Sequence, residues 1–132
     1  MDLTDFKPKT DTIEVILKNP STDEPLTHDD GKDFYIIVAA PHTGEFKESQ
    51  QVNMDMWLNK TQKGKKRNPT LVEIEKATAE HLARITKKWD FLYNKEKPKL
   101  TVDKATEIYT ELFWIRDQIQ EAIDESLDFT KV

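Results

Sequence analysis

The sequence predicts an α+β domain in which an N-terminal antiparallel β pair packs against about four α-helices, helix being the dominant element. Three observations carry that expectation. An alternating segment, Thr12 to Leu17, and a second run that is apolar on both faces, Asp33 to Ala39, both precede Pro41. Beyond Pro41 the apolar residues recur every three or four positions. At 132 residues the chain has the length of one domain and can bury enough surface for a cooperative core. We therefore take residues 1–132 as a single domain, with 1–11 as a flexible N-terminal tail.

In the first strand Ile13, Val15 and Leu17 alternate with Thr12 and Glu14, the period of a half-buried strand. Turn formers from Lys18 to Asp23 end it. The second strand is rich in β-branched and aromatic residues, with Phe34, Ile36 and Val38 on one face and Tyr35, Ile37 and Ala39 on the other. Two strands are marginal alone, so helices must cover at least one face.

The first helix is expected from Thr43, as N-cap, to about Lys60, through Phe46, Met54, Trp57 and Leu58. A basic loop with Gly64 and Pro69 follows. From Thr70 the pattern is cleaner: Leu71, Ile74, Ala77 or Thr78, Leu82 and Ile85 form one stripe and predict an amphipathic helix. Trp89 to Asn94 crowds four large side chains into six positions and reads as a core plug between helices. Thr101 caps a short helix to about Tyr109, and a last helix runs from Phe113 to about Ser126 with Ile115, Ile119, Ala122 and Ile123 inward.

Composition narrows the function classes. With no cysteine, disulfides, thiolate nucleophiles and Cys-ligated metal sites are excluded. The net charge of -5 argues against a strongly basic nucleic-acid binder, and the longest apolar run, Phe34 to Ala40, is far short of the roughly 20 residues a membrane helix needs. The N-terminus, Met1-Asp2-Leu3-Thr4-Asp5, lacks the basic and apolar regions of a secretory signal, so a cytosolic location is expected. Charge is nonetheless segregated. Residues 1–59 sum to -7, 60–99 to +7 and 100–132 to -5, a block pattern that favours complementary contacts within the chain or between copies of it.

The search for catalytic chemistry is mostly negative, and no enzyme activity or cofactor is expected. No glycine loop cradles phosphate. His28 to Asp33 has the look of an acidic turn rather than a calcium loop. His81 beside an apolar stripe reads as a partly buried, hydrogen-bonded histidine, and Trp57, Trp89 and Trp114 as core volume. The sharpest feature is Lys60, Lys63, Lys65, Lys66 and Arg67, five bases within eight residues and no acid. Three readings stand: a solvated loop, a protein contact, or a salt-sensitive nucleic-acid contact. Met54, Met56 and Trp57 beside it form either an adaptable apolar surface or ordinary core.

Three stretches taken in order resemble a known family. They are Thr12-Ile13-Glu14-Val15-Ile16-Leu17-Lys18-Asn19-Pro20-Ser21-Thr22-Asp23-Glu24-Pro25-Leu26; Thr86-Lys87-Lys88-Trp89-Asp90; and Leu100-Thr101-Val102-Asp103-Lys104-Ala105 leading to Trp114-Ile115-Arg116-Asp117-Gln118-Ile119. This succession resembles the tail assembly chaperones of long-tailed, lambda-like bacteriophages. It departs from them at Asp23, where glycine is expected, and in the basic stretch, which follows no fixed motif. The resemblance implies a non-enzymatic protein of the host cytoplasm, absent from the mature virion. Such a protein binds the tape measure protein, keeps it soluble and promotes assembly of the tail tube protein. A structural tail accessory or completion protein is the alternative, and a small nucleic-acid-binding protein a more distant one. On this reading the partner-binding candidates are Met54, Met56, Trp57, Lys60, Lys63, Lys65, Lys66 and Arg67.

Overall fold

A computed structural model describes residues 2–3, 10–62 and 69–127, without the side chains of 59–62. The elements run β1 (Thr12–Ile16), β2 (Tyr35–Ala39), α1 (Gly44–Gln62), α2 (Leu71–Ile85), β3 (Thr86–Asp90), α3 (Val102–Glu111) and α4 (Phe113–Ser126). The helix-dominated α+β architecture is as expected, but the sheet has three antiparallel strands in the order β1-β2-β3 rather than a pair. The third strand overlaps the segment read as a core plug only at Trp89 and Asp90. Its sequence, Thr86-Lys87-Lys88-Trp89-Asp90, offers only Trp89 to the core side, so periodicity alone does not betray it.

Register explains how so polar a strand is held. Ile36 pairs with Trp89 and Ile37 with Lys88; the pairing then jumps to Val38 with Thr86, leaving Lys87 as the extra residue of a bulge. Lys87 turns that displacement to use by bonding Glu45 in the first turn of α1 at 2.7 Å. Trp89 is buried, its indole N–H donates to the Pro98 carbonyl at 2.9 Å, and its ring meets Phe91 and Tyr109. Phe91 is buried as expected of a plug, whereas Leu92 is exposed.

The core lies between one face of the sheet and the helices. Val15 from β1 and Leu17 just after it, Ile36 and Val38 from β2, Leu82, Ala83 and Ile85 from α2, Ile108 and Tyr109 from α3, and Ile115, Ile119 and Ile123 from α4 form one buried cluster. Trp114 packs against it half-buried. Helix starts follow the capping residues: Thr43, Thr70 and Thr101 hydroxyls accept from the amides of Phe46, Glu73 and Lys104 at 3.3, 3.2 and 3.0 Å. Tyr109, buried at the centre, shares a 2.8 Å hydrogen bond with the Thr86 hydroxyl, and burial pushes its phenol pKa upward.

The turn after β1 meets α4 in space. The Gln118 side chain of α4 brackets Lys18, accepting from its backbone N–H and donating to its C=O, both at 2.8 Å. Asp23, where glycine was expected, does adopt a left-handed backbone with φ 63°, a conformation Asp tolerates better than most residues. The acidic stretch at His28 is a turn, closed by the Gly31 amide on the His28 carbonyl at 2.9 Å with Gly31 at φ 85°. At the N-terminus, residues 4–9 of the expected tail lie outside the described ones, and Asp11 accepts from the Ala40 amide and bonds His42.

Candidate partner-binding surface

Helices α1 and α2 run antiparallel and are joined by a network of polar groups. The buried Ser49 hydroxyl lies 2.7 Å from His81 Nδ1 and accepts from Arg84 Nε at 2.9 Å. Arg84 Nη2 donates to the Ser49 carbonyl at 3.1 Å and to Asn53 Oδ1 at 2.6 Å. Asn53 Nδ2 completes the set by donating to the Ala77 carbonyl at 3.1 Å. The spacing of Ser49 and Asn53 against Ala77, His81 and Arg84 is one helical turn on each side, which fixes the register of the pair.

The Ser–His contact has the distance of a nucleophile and its base, but its surroundings assign it a different task. Burial, followed by the Arg84 charge, lowers the His81 pKa to about 4, so the ring is neutral at pH 7 and its Nδ1 can accept a hydrogen bond from the serine O–H. Arg84, whose own pKa burial lowers, bonds the serine oxygen from the other side. The Phe46 ring packs edge-on against the imidazole, with centroids 4.8 Å apart. The hydroxyl is thus a bolt between two helices, and the partly buried, hydrogen-bonded histidine expected from sequence is what stands there.

Continuing the same register places Met56 and Trp57 level with Glu73 and Ile74, toward the end of the pair remote from Phe46. Here the apolar stripe of α2 loses its cover. Val72 lies two turns before the buried Ala79, and Leu71 two turns before Thr78 and four before Ile85. Those columns are inside the protein farther along, yet Leu71 is 78% and Val72 74% exposed. Ile74 is exposed as well, which corrects the expectation that Leu71 and Ile74 face inward. The stripe is continuous, but among the described residues too little packs over its first turn to bury it.

On α1, Met54 is 56% exposed and Leu58 is similarly open, while Met56 and Trp57 are half-buried; Phe46 is the buried member of the predicted stripe. None of Met54, Met56 and Trp57 belongs to the core cluster. Lys60 follows on the same helix, its side chain outside the described residues, as are Lys63, Lys65, Lys66 and Arg67. The structure therefore places the predicted methionines and Trp57 on one end of a helix pair and adds Leu71, Val72 and Ile74 to it. The missed signal was charge: Glu73, Glu75 and Lys76 stand among those three residues, leaving too few apolar neighbours to enclose them.

Among the described residues no group of three or more His, Asp or Glu side chains is arranged to hold a metal ion. No helix there is long and apolar enough to cross a membrane. Compared with protein-family models, curated proteins and solved structures, the chain matches none.

Proposed function

We propose that this protein is a tail assembly chaperone of a long-tailed bacteriophage, acting without catalysis in the host cytoplasm and leaving before the virion is complete. On this reading it holds the apolar helices of the tape measure protein in solution and passes them to the tail tube protein. The observation that carries the reading is the uncovered end of the α1–α2 pair, where Leu71, Val72, Ile74, Met54 and Leu58 stand open on two helices. Exposed apolar residues on a helix pair offer a groove-like surface to a partner helix, and methionine adapts to irregular ones. The bases that follow in the sequence, from Lys60 to Arg67, add charge that discourages collapse of the chain onto itself. The order of sequence stretches that resembles the chaperone family is the second support.

Co-expression with the neighbouring tape measure protein tests this directly. A soluble complex should form only when this protein is present, and it should be lost with the Met54→Lys/Met56→Lys variant. Loss of the complex at high salt would show that the basic run takes part. Insoluble tape measure protein regardless of this chain, or this chain retained in purified particles, would move the assignment to a structural tail component.

A further inference from the structure

The outer edge of β1 is a second surface, on the opposite side of the sheet order from β3 and independent of the reading above. The bonds from Leu17 N–H to the Phe34 carbonyl and from Ala40 N–H to the Asp11 carbonyl show that the odd-numbered residues of this strand face β2. The N–H and C=O groups of Glu14, Ile16 and Lys18 therefore point the other way. At Lys18 both groups are satisfied by the Gln118 amide, which stands where the next strand's peptide group would. At Glu14 and Ile16, among the described residues, no backbone group answers them. They open onto a groove of about 350 Å³ between β1 and α4, walled by Glu121, Ala122 and Glu125.

We infer that this groove binds an extended, lysine- or arginine-rich segment of a partner polypeptide as an added β-strand. Strand addition uses the unpaired main-chain groups of a sheet edge for affinity and the flanking side chains for selection. Selection here is by charge. Glu14, Asp23, Glu121 and Glu125 line the groove against the single base Lys18, so alternating cations on the incoming strand meet carboxylates along it. The chain's own basic run, Lys63-Gly64-Lys65-Lys66-Arg67-Asn68-Pro69, has suitable charge but contains Gly64 and ends in Asn68-Pro69, residues that strands avoid. A foreign segment is the better occupant.

The probe is a capped nine-residue peptide in which lysine alternates with threonine, compared with the same peptide N-methylated at every second amide. Binding is followed by heteronuclear NMR on the full chain. The unmodified peptide should bind, slow hydrogen exchange at the Glu14 and Ile16 amides, and weaken at least about tenfold on N-methylation or in Glu121→Lys/Glu125→Lys. Both substituted positions are exposed, so folding is preserved, and unchanged spectra outside the groove check this. Binding without protection at Glu14 and Ile16, or indifference to N-methylation, would reduce the site to a charged surface and overturn the inference. So would no binding, or concentration-dependent dimerisation blocked by a peptide of residues 61–69, which would give the groove to a second copy.

Discussion

The two ends of α2 differ in what surrounds them, although the helix presents the same kind of stripe throughout. Its C-terminal half, Ala77 to Ile85, is enclosed by α3 and the sheet and contributes fully buried residues such as Ala79, Leu82 and Ile85. Its first turn carries apolar side chains of the same kind and leaves them in water. Amphipathicity thus describes a helix and not its environment: the same pattern makes a core where other elements reach it and a sticky surface where they stop. The comparison also separates two modes of holding helices together. The enclosed end relies on branched aliphatic side chains, whereas α1 is held by the Ser49, His81, Arg84 and Asn53 network.

Breaking the core cluster to which the enclosed end belongs should have the largest effect. Ile119 is fully buried on α4, and Ile119→Ala is expected to cost about 2–5 kcal/mol of unfolding free energy by denaturant titration. An unchanged midpoint would remove α4 from the core. Breaking the polar bolt should cost less. Ser49→Ala leaves Arg84 Nε and His81 Nδ1 without the oxygen they share, a loss of about 1–3 kcal/mol. A neutral result would mean that water replaces the hydroxyl.

The bolt also has a pH signature. The folded-state His81 pKa is near 4, below the ordinary 6.5, so the unfolded chain takes up the proton first as pH falls. Stability contributed by the neutral ring is complete above about pH 6.5 and declines as the pH drops toward 4, where the folded protein protonates as well. Solvent reaching the partly buried imidazole makes the decline shallower than full burial would give. Thermal melts between pH 7 and pH 4.5 should show this decline in the parent and a weaker one in His81→Gln; parallel profiles would place the titration elsewhere.

Much of this arrangement was legible in the sequence, and the parts that were not share a cause. Strands β1 and β2, the Thr43 and Thr101 caps and the inward residues Ile115, Ile119 and Ile123 followed from period and capping chemistry, which are local. β3 was missed because its identity is conferred by a neighbour: Lys87 and Lys88 face solvent, and only pairing with β2 makes the segment a strand. The inward assignment of Leu71 and Ile74 failed for a related reason, since a stripe cannot report where its cover ends. At the candidate surface, Met54 and Trp57 were singled out because soft and aromatic residues beside a basic run are conspicuous. Leu71 and Val72 were hidden in what looked like ordinary core pattern.

The smallest effect on stability should come from the open end, and it separates surface from core most sharply. Leu71→Ser/Val72→Ser removes two exposed side chains and should change unfolding free energy by no more than about 0.5 kcal/mol per site. The decisive measurement is light scattering of freshly diluted tape measure protein in the presence of the parent or of this variant, each first shown to be folded. The parent should suppress aggregation and the equally stable variant should not. Equal protection by both would contradict the claim that the uncovered end of the α1–α2 pair is the surface that holds the partner.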